Sequence, residues 1–183
     1  LITKLDEREA VQLSEHYTDD LYDSILNSKN EIILAIPENI NLQFDICDDV
    51  ASVLVNHIPH ELRAILGNII NNSIDAIGNN RGFIKLTADD LGDKIEISIT
   101  DNGKGISSEN LPNVFDRNAT FNKINGTGYG LFHAKTWIEK WNGEIKINSI
   151  PNKETIVKIT LPIQDRASWY LPRLKLNSKT QII

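Results

Sequence analysis

The sequence predicts an α/β fold, and three observations carry that prediction. Two long stretches place apolar residues at three- and four-residue steps, the spacing of a helix with one buried face. Five shorter runs alternate apolar and polar residues, the spacing of a half-buried strand. Glycine, proline and asparagine punctuate the boundaries between them. The chain has 183 residues, enough for one full domain and a short appendage. A domain near that size buries roughly 70% of its unfolded surface, so it can build a substantial core.

Residues 1 to about 29 predict one long helix. Ala10, Leu13, Tyr17, Leu21 and Ile25 form its apolar stripe, and Asp19, Asp20 and Asp23 lie largely off it. Such a helix would span about 45 Å and cannot cover its stripe alone, so a bundle or dimer is expected to cover it. Pro37-Glu38-Asn39 ends this region, and Ile40, Leu42, Phe44 and Ile46 alternate as a strand. Pro59 suits the first turn of a second helix, having a fixed φ and no N–H to leave unpaired. Leu62, Ile65, Leu66, Ile69, Ile70 and Ile77 give this helix its core face, and Gly78-Asn79-Asn80 ends it. Strands follow at Phe83 to Ala88 and Ile95 to Thr100, with a turn at Leu91-Gly92-Asp93. A short helix capped by Ser107 is expected to reach about Phe115. Residues 116–127 have no apolar period and read as a mobile loop. A helix is predicted from about Tyr129 to Trp141 and stopped by Gly143. Ile145 and Ile147, with Ile156, Val157, Ile159 and Leu161, form a closing hairpin. Residues 163–183 read as a linker.

Composition narrows the class further. The net charge is −6 and no block of lysine or arginine occurs, which disfavours nucleic acid and acidic membrane surfaces as partners. Cys47 is the only cysteine, so no internal disulfide can form and a reducing, cytoplasmic location is expected. Cys47 itself reads as a strand-end residue. No apolar run approaches the ~18 residues of a membrane span. The chain contains no methionine and begins at Leu1, so it is expected to be a piece of a longer protein that carries any membrane anchor or sensor.

Three motifs carry the chemistry. On a wheel of about 100° per residue, Asn68, Asn72 and Asp75 of the second helix share one narrow stripe beside the apolar face, where it can border a cleft. Magnesium takes oxygen ligands and keeps several waters, so one or two amide oxygens suffice when phosphates supply the rest. Next, Asp101-Asn102-Gly103-Lys104-Gly105-Ile106 follows an alternating strand. An ionised carboxylate there only accepts hydrogen bonds, which suits the exocyclic amine of adenine and opposes the carbonyl of guanine. Gly103 and Gly105 allow backbone to approach a flat base and to adopt φ > 0. Finally, Gly126-Thr127-Gly128-Tyr129-Gly130-Leu131 opens a helix, where backbone N–H groups and the helix dipole favour phosphate. Lys123, just before it, is placed to reach a terminal phosphate. The glycines are neither the dinucleotide fingerprint nor a P-loop, because the preceding strand unit of the first and the Gly-Lys-Ser/Thr of the second are missing. The three motifs together predict an ATP site with Mg2+.

In this order and spacing the motifs resemble the catalytic, ATP-binding domain of sensor histidine kinases, in the superfamily shared with DNA gyrase, the MutL repair proteins and a heat-shock chaperone. Leu66 to Ala76 is similar to that family's N box, Asp101 to Ile106 and Gly126 to Leu131 to its two glycine boxes, and Phe115 to its F box at the start of the ATP lid. Trp141-Asn142-Gly143-Glu144-Ile145 and Thr155 resemble its trailing glycine segment and threonine strand. The match covers about residues 38–162.

The resemblance implies a two-layer α/β sandwich of the Bergerat type, with a mixed sheet, helices on one face, and ATP between helices and lid. It implies that Asn72 ligates magnesium with help from Asn68, and that Asp101 reads adenine. Gly103, Gly105, Ile106, Lys123, Gly126, Thr127, Gly128, Tyr129, Gly130, Leu131 and Thr155 would line the nucleotide, with Asn68 and Lys123 catalytic. It divides the chain into the second helix of a phosphoacceptor hairpin at 1–30, the catalytic domain at 31–162 and a linker at 163–183. Implied partners are the parent's own phosphoacceptor histidine hairpin, a response regulator or receiver domain, and a second copy in a homodimeric parent.

Departures and rivals are also legible. Tyr129 replaces the usual leucine, Asn152-Lys153-Glu154-Thr155 lacks the usual Gly-x-Gly-Thr, and Asp75 stands where many kinases carry a basic residue. His60-Glu61-Leu62-Arg63 imitates a phosphoacceptor box but lies only eight residues before Asn68, so His60 reads as a helix-start residue. His16 lacks a following acidic residue, and His57 and His133 read as surface or packing residues. One rival is a gyrase- or MutL-type ATPase, which would need a glutamate base where Asn68 stands; an amide cannot accept that proton. The other is a regulatory pseudokinase that binds nucleotide and transfers nothing.

Overall fold

The computed structural model of the chain describes residues 21–34, 36–117 and 129–164. Helix α1 covers Leu21–Ile33, strand β1 Ile40–Ile46, β2 Leu54–Val55, helix α2 Pro59–Ile77, β3 Gly82–Asp90 and β4 Lys94–Asp101. After the third motif come helix α3 at Gly130–Lys140, β5 at Glu144–Ile150 and β6 at Glu154–Gln164. The six strands form one mixed sheet in the order β1-β3-β4-β6-β2, with β5 also paired to β6. Only β1 and β3 run parallel, joined by the crossover that contains α2. Helices lie on one face, as the α/β sandwich requires.

Alternation decides which face is covered. Ile84, Leu86 and Ala88 of β3, Ile95, Ile97 and Ile99 of β4, and Val157, Ile159 and Leu161 of β6 are buried together. Against them α2 lays Leu62, Ile65, Leu66, Ile69, Ile70 and Ile77, all at or below 3% exposure. Each such side chain contributes about 1.5–3 kcal/mol by leaving water, which makes this layer the main source of stability. The intervening strand residues carry charge, with Lys158 to Glu96 at 2.8 Å and Lys85 to Asp45 at 3.2 Å. Pairs this exposed contribute about 0–1 kcal/mol and serve solubility more than stability.

Where α2 stops bears directly on the site. Gly78 takes φ +61° and donates its N–H to the Ile74 carbonyl at 2.8 Å, so the helix ends where a glycine can turn left-handed. The chain then returns as β3 beside β1.

Several expectations change. Helix α1 runs to Ile33, past residue 29, and Leu21 and Ile25 are covered by this chain itself, in the core that includes α2. Ala10, Leu13, Tyr17 and His16 lie outside the described residues. The helix expected from Ser107 to Phe115 is only a 3-10 turn at Leu111–Asn113, with the Ser107 carbonyl accepting from the N–H groups of Asn110 and Leu111. Pro112, in its middle, has no N–H to propagate an α-helix. Strand β6 continues through Pro162 to Gln164, two residues into the stretch read as linker, because Ile163 and Gln164 pair with β2. Residues 165–183 lie outside the described residues. No described helix is long and apolar enough to cross a membrane.

Candidate nucleotide site

Strand β4 delivers Asp101 as its last residue, on the covered face and only 3% exposed. A buried carboxylate must find donors. It finds two: the Gly103 N–H donates to Oδ1 at 2.9 Å, and the Ser73 hydroxyl of α2 donates to Oδ2 at 2.8 Å. Burial pushes the Asp101 carboxyl above the usual carboxylate range, while the Gly103 and Ser73 hydrogen bonds pull it back down.

This balance predicts opposite pH dependences for stability and ligand binding. A folded-state pKa above the unfolded one adds stability that is complete below the unfolded value and lost as pH rises through the folded value. Adenine binding, as the sequence predicts it, would need the ionised, accepting form, so it would weaken as pH falls through the same range. The thermal midpoint of the chain minus that of Asp101→Asn should therefore grow as pH drops toward about 4, while ATP affinity declines. A midpoint difference that stays flat or shrinks on acidification contradicts this assignment.

The turn after Asp101 is clamped on two sides. A Cβ on Gly103 would stand 2.6 Å from the Ala76 Cβ and 2.7 Å from its carbonyl carbon, so only glycine fits against the last turn of α2. The Lys104 N–H donates to the Ala76 carbonyl at 2.9 Å. On the other side the β5–β6 hairpin holds the turn. The Asn152 N–H donates to the Lys104 carbonyl at 2.7 Å, and the Ile106 N–H to Ser149 Oγ at 2.9 Å. Gly105, at φ +67°, sits so close to the Ile150 carbonyl that a Cβ would lie 2.5 Å from it. The segment lacking the family's Gly-x-Gly-Thr thus has a structural task, because Asn152 takes φ +58° and buttresses the glycine turn. Thr155 is 7% exposed, pairs with Asp101 across the β4–β6 ladder, and places Oγ1 3.0 Å from Ser149 Oγ.

Asn68 and Asn72 are half-buried on α2, one turn apart, and Asp75 is exposed. Helix α3 starts against Asn68: a Cβ on Gly130 would lie 3.5 Å from the Asn68 Cβ and Cγ, an ordinary contact. The asparagine stripe therefore meets the helix start predicted to hold phosphate. Leu131 packs on the core, as does Phe115, which carries the Lys135 ammonium 5.5 Å from its ring centre. Tyr129 is 42% exposed, edge-on to Phe132, with the Arg117 guanidinium 5.5 Å from its ring. Lys123, Gly126, Thr127, Gly128 and most of the predicted loop lie outside the described residues. Among the described residues no group of three or more His, Cys, Asp or Glu side chains could hold a metal. A magnesium ion here would rely on amide oxygens, phosphate and water, which is the ligand set it accepts.

Three of the four histidines, His57, His60 and His133, lie among the described residues. His60 has a 71% exposed side chain in the first turn of α2. His133 Nε2 accepts from Trp137 Nε1 at 2.9 Å and lies 3.2 Å from Glu61. His57 is interior: its Nδ1 donates to the Val55 carbonyl at 3.1 Å, and its Nε2 lies 3.0 Å from the Ser24 hydroxyl. Sequence reasoning missed Ser73, Ser149 and Arg117. Ser73 had a signal, being a hydroxyl among Ile69, Ile70 and Ile77 on the core face of α2; the other two had none.

Residues 57–165 match the family described as histidine kinase-, DNA gyrase B- and HSP90-like ATPases. Sensor histidine kinase ZraS of Salmonella typhimurium is 34% identical over 148 residues, 80% of this chain and 31% of that protein. A probable C4-dicarboxylate sensor kinase of Bacillus subtilis is 33% identical over 108 residues, 57% of this chain and 20% of that protein. The chain thus spans about a fifth to a third of these curated relatives. Among solved structures, the nucleotide-free catalytic domain of histidine kinase ThkA aligns with TM-score 0.68 and 27% identity, covering 79% of this chain and 93% of that one.

Proposed function

Because the chain belongs to the histidine kinase-, DNA gyrase B- and HSP90-like ATPase family, we propose that it is the catalytic domain of a sensor histidine kinase, serving a phosphoacceptor histidine outside these residues. The observation that carries the nucleotide reading is Asp101: a buried carboxylate at a strand end, held by Ser73 and Gly103 beside a turn on which only glycine fits. What favours a kinase over a gyrase-type hydrolase is Asn68, whose amide cannot take a proton from water.

Bound ATP supplies the transferable γ-phosphoryl group. Asp101 accepts from the adenine amine and fixes the base. Asn72, with Asn68 beside it, offers amide oxygens to Mg2+, and Lys123 and the N–H groups near Gly126 and Gly130 offset phosphate charge. Catalysis of this kind rests on positioning and charge neutralisation. An imidazole nitrogen brings its own lone pair, so no protein base is needed. The reading extends to a homodimeric parent that carries the phosphoacceptor hairpin and any membrane anchor, and to a response regulator or receiver domain as the next acceptor.

Labelled ATP tests this reading. The chain alone should gain no acid-labile phosphate, whereas the intact parent should, and Asn72→Ala in the parent should abolish it. Label on this chain that His60→Ala or His16→Ala removes would place the acceptor inside it. An unlabelled parent that still binds ATP would instead identify a regulatory module.

A further inference from the structure

We infer that Ser73 is a base-selecting residue: its hydroxyl holds Asp101 in the orientation that accepts from an adenine amine. This inference rests on the ATP reading above and adds a residue to that site.

Ser73 stands on the core face of α2, 3% exposed, between Ile69 and Ile77 on the same stripe. A hydroxyl there needs a partner. Two acceptors are within reach, the Ile69 carbonyl at 3.3 Å and Asp101 Oδ2 at 2.8 Å. Its one proton goes to the nearer, charged oxygen, because a charge-assisted hydrogen bond is roughly twice as strong as a neutral one. With Gly103 donating to Oδ1, each carboxylate oxygen has one fixed donor, and the plane of the group is set. Both donors favour an acceptor-only carboxylate. A protonated Asp101 would present an O–H, which suits the carbonyl at C6 of hypoxanthine or guanine. Ser73 therefore separates bases with an amine at C6 from bases with a carbonyl there. Neither helix geometry nor core packing requires this hydroxyl, since alanine would fill a helical core position at no propensity cost.

The test is calorimetric titration of the full chain with ATP and with ITP, which differ at C6, in the presence of magnesium. Wild type should prefer ATP. Ser73→Ala should lower ATP affinity about tenfold, the lower end for losing one hydrogen bond to a charged group, without weakening ITP, so the ATP-to-ITP ratio falls about tenfold. Ser73→Thr, which keeps the hydroxyl, should restore the ratio. Thermal unfolding of each variant identifies any that fails to fold, in which case Ser73→Cys, with a weaker donor of similar size, should give an intermediate ratio. An unchanged ratio in a folded Ser73→Ala, or equal losses for both nucleotides, overturns the role of Ser73 and leaves the ATP reading intact. Failure of wild type to bind ATP overturns the ATP reading itself.

Discussion

Asp101→Asn is expected to weaken ATP binding roughly 10- to 150-fold, the range for one hydrogen bond to a charged group. The fold should survive, for a reason visible in the hydrogen bonds. Two donors converge on the carboxylate, the Gly103 N–H on Oδ1 and the Ser73 hydroxyl on Oδ2. An amide must turn its NH2 away from the Gly103 N–H, which cannot accept. It can face Ser73, because that hydroxyl can accept and redirect its proton to the Ile69 carbonyl at 3.3 Å. Every buried polar atom then keeps a partner. What is lost is the charged acceptor for the base. Calorimetry with ATP and magnesium, beside a thermal melt, should show a large loss of affinity with a nearly native melting temperature. Unchanged affinity would remove Asp101 from the site.

Gly103→Ala should damage both stability and binding. Its Cβ would fall 2.6–2.9 Å from three atoms of Ala76, two of them backbone at the end of α2. A helix backbone anchored by Ile69, Ile70 and Ile77 cannot retreat, so the turn must. Moving it breaks the Lys104-to-Ala76 and Gly103-to-Asp101 hydrogen bonds together. Overpacking of this kind costs about 1–3 kcal/mol, and ATP affinity should fall at least about tenfold because the turn that frames the base is displaced. Gly130→Ala is the matched comparison for stability, because its Cβ meets Asn68 at an ordinary 3.5 Å. Chemical denaturation should separate the two variants. Equal stabilities would mean that the turn is looser than the distances indicate.

How much of this was legible in the sequence depends on what each element is made of. Strands β3, β4 and β6 alternate long enough to reveal both their period and their covered face. Helix α2 announces its start with Pro59, its face with six aliphatic residues, and its end with Gly78. Strand β2, of two residues, is too short to show any period. It exists because Ile163 and Gln164 extend β6 and give it a partner. The 107–115 stretch had a cap residue but also Pro112, and proline prevailed. Within the site, motifs exposed the residues expected to touch ligand, namely Asn68, Asn72, Asp101 and the glycines. They did not expose what holds those residues. Ser73, Ser149 and the Ala76 carbonyl act through contacts between segments as far apart as 43 residues, which local spacing cannot encode.

Titration of the unmutated chain with ATP and with GTP, each with magnesium, tests the central claim most directly. On the proposed reading, the Asp101 carboxylate accepts from an adenine amine and would repel a guanine carbonyl. One ATP should bind per chain, GTP should bind at least about tenfold more weakly, and chelation of magnesium should weaken ATP further. No measurable heat with ATP, or equal affinity for the two nucleotides, would contradict the account.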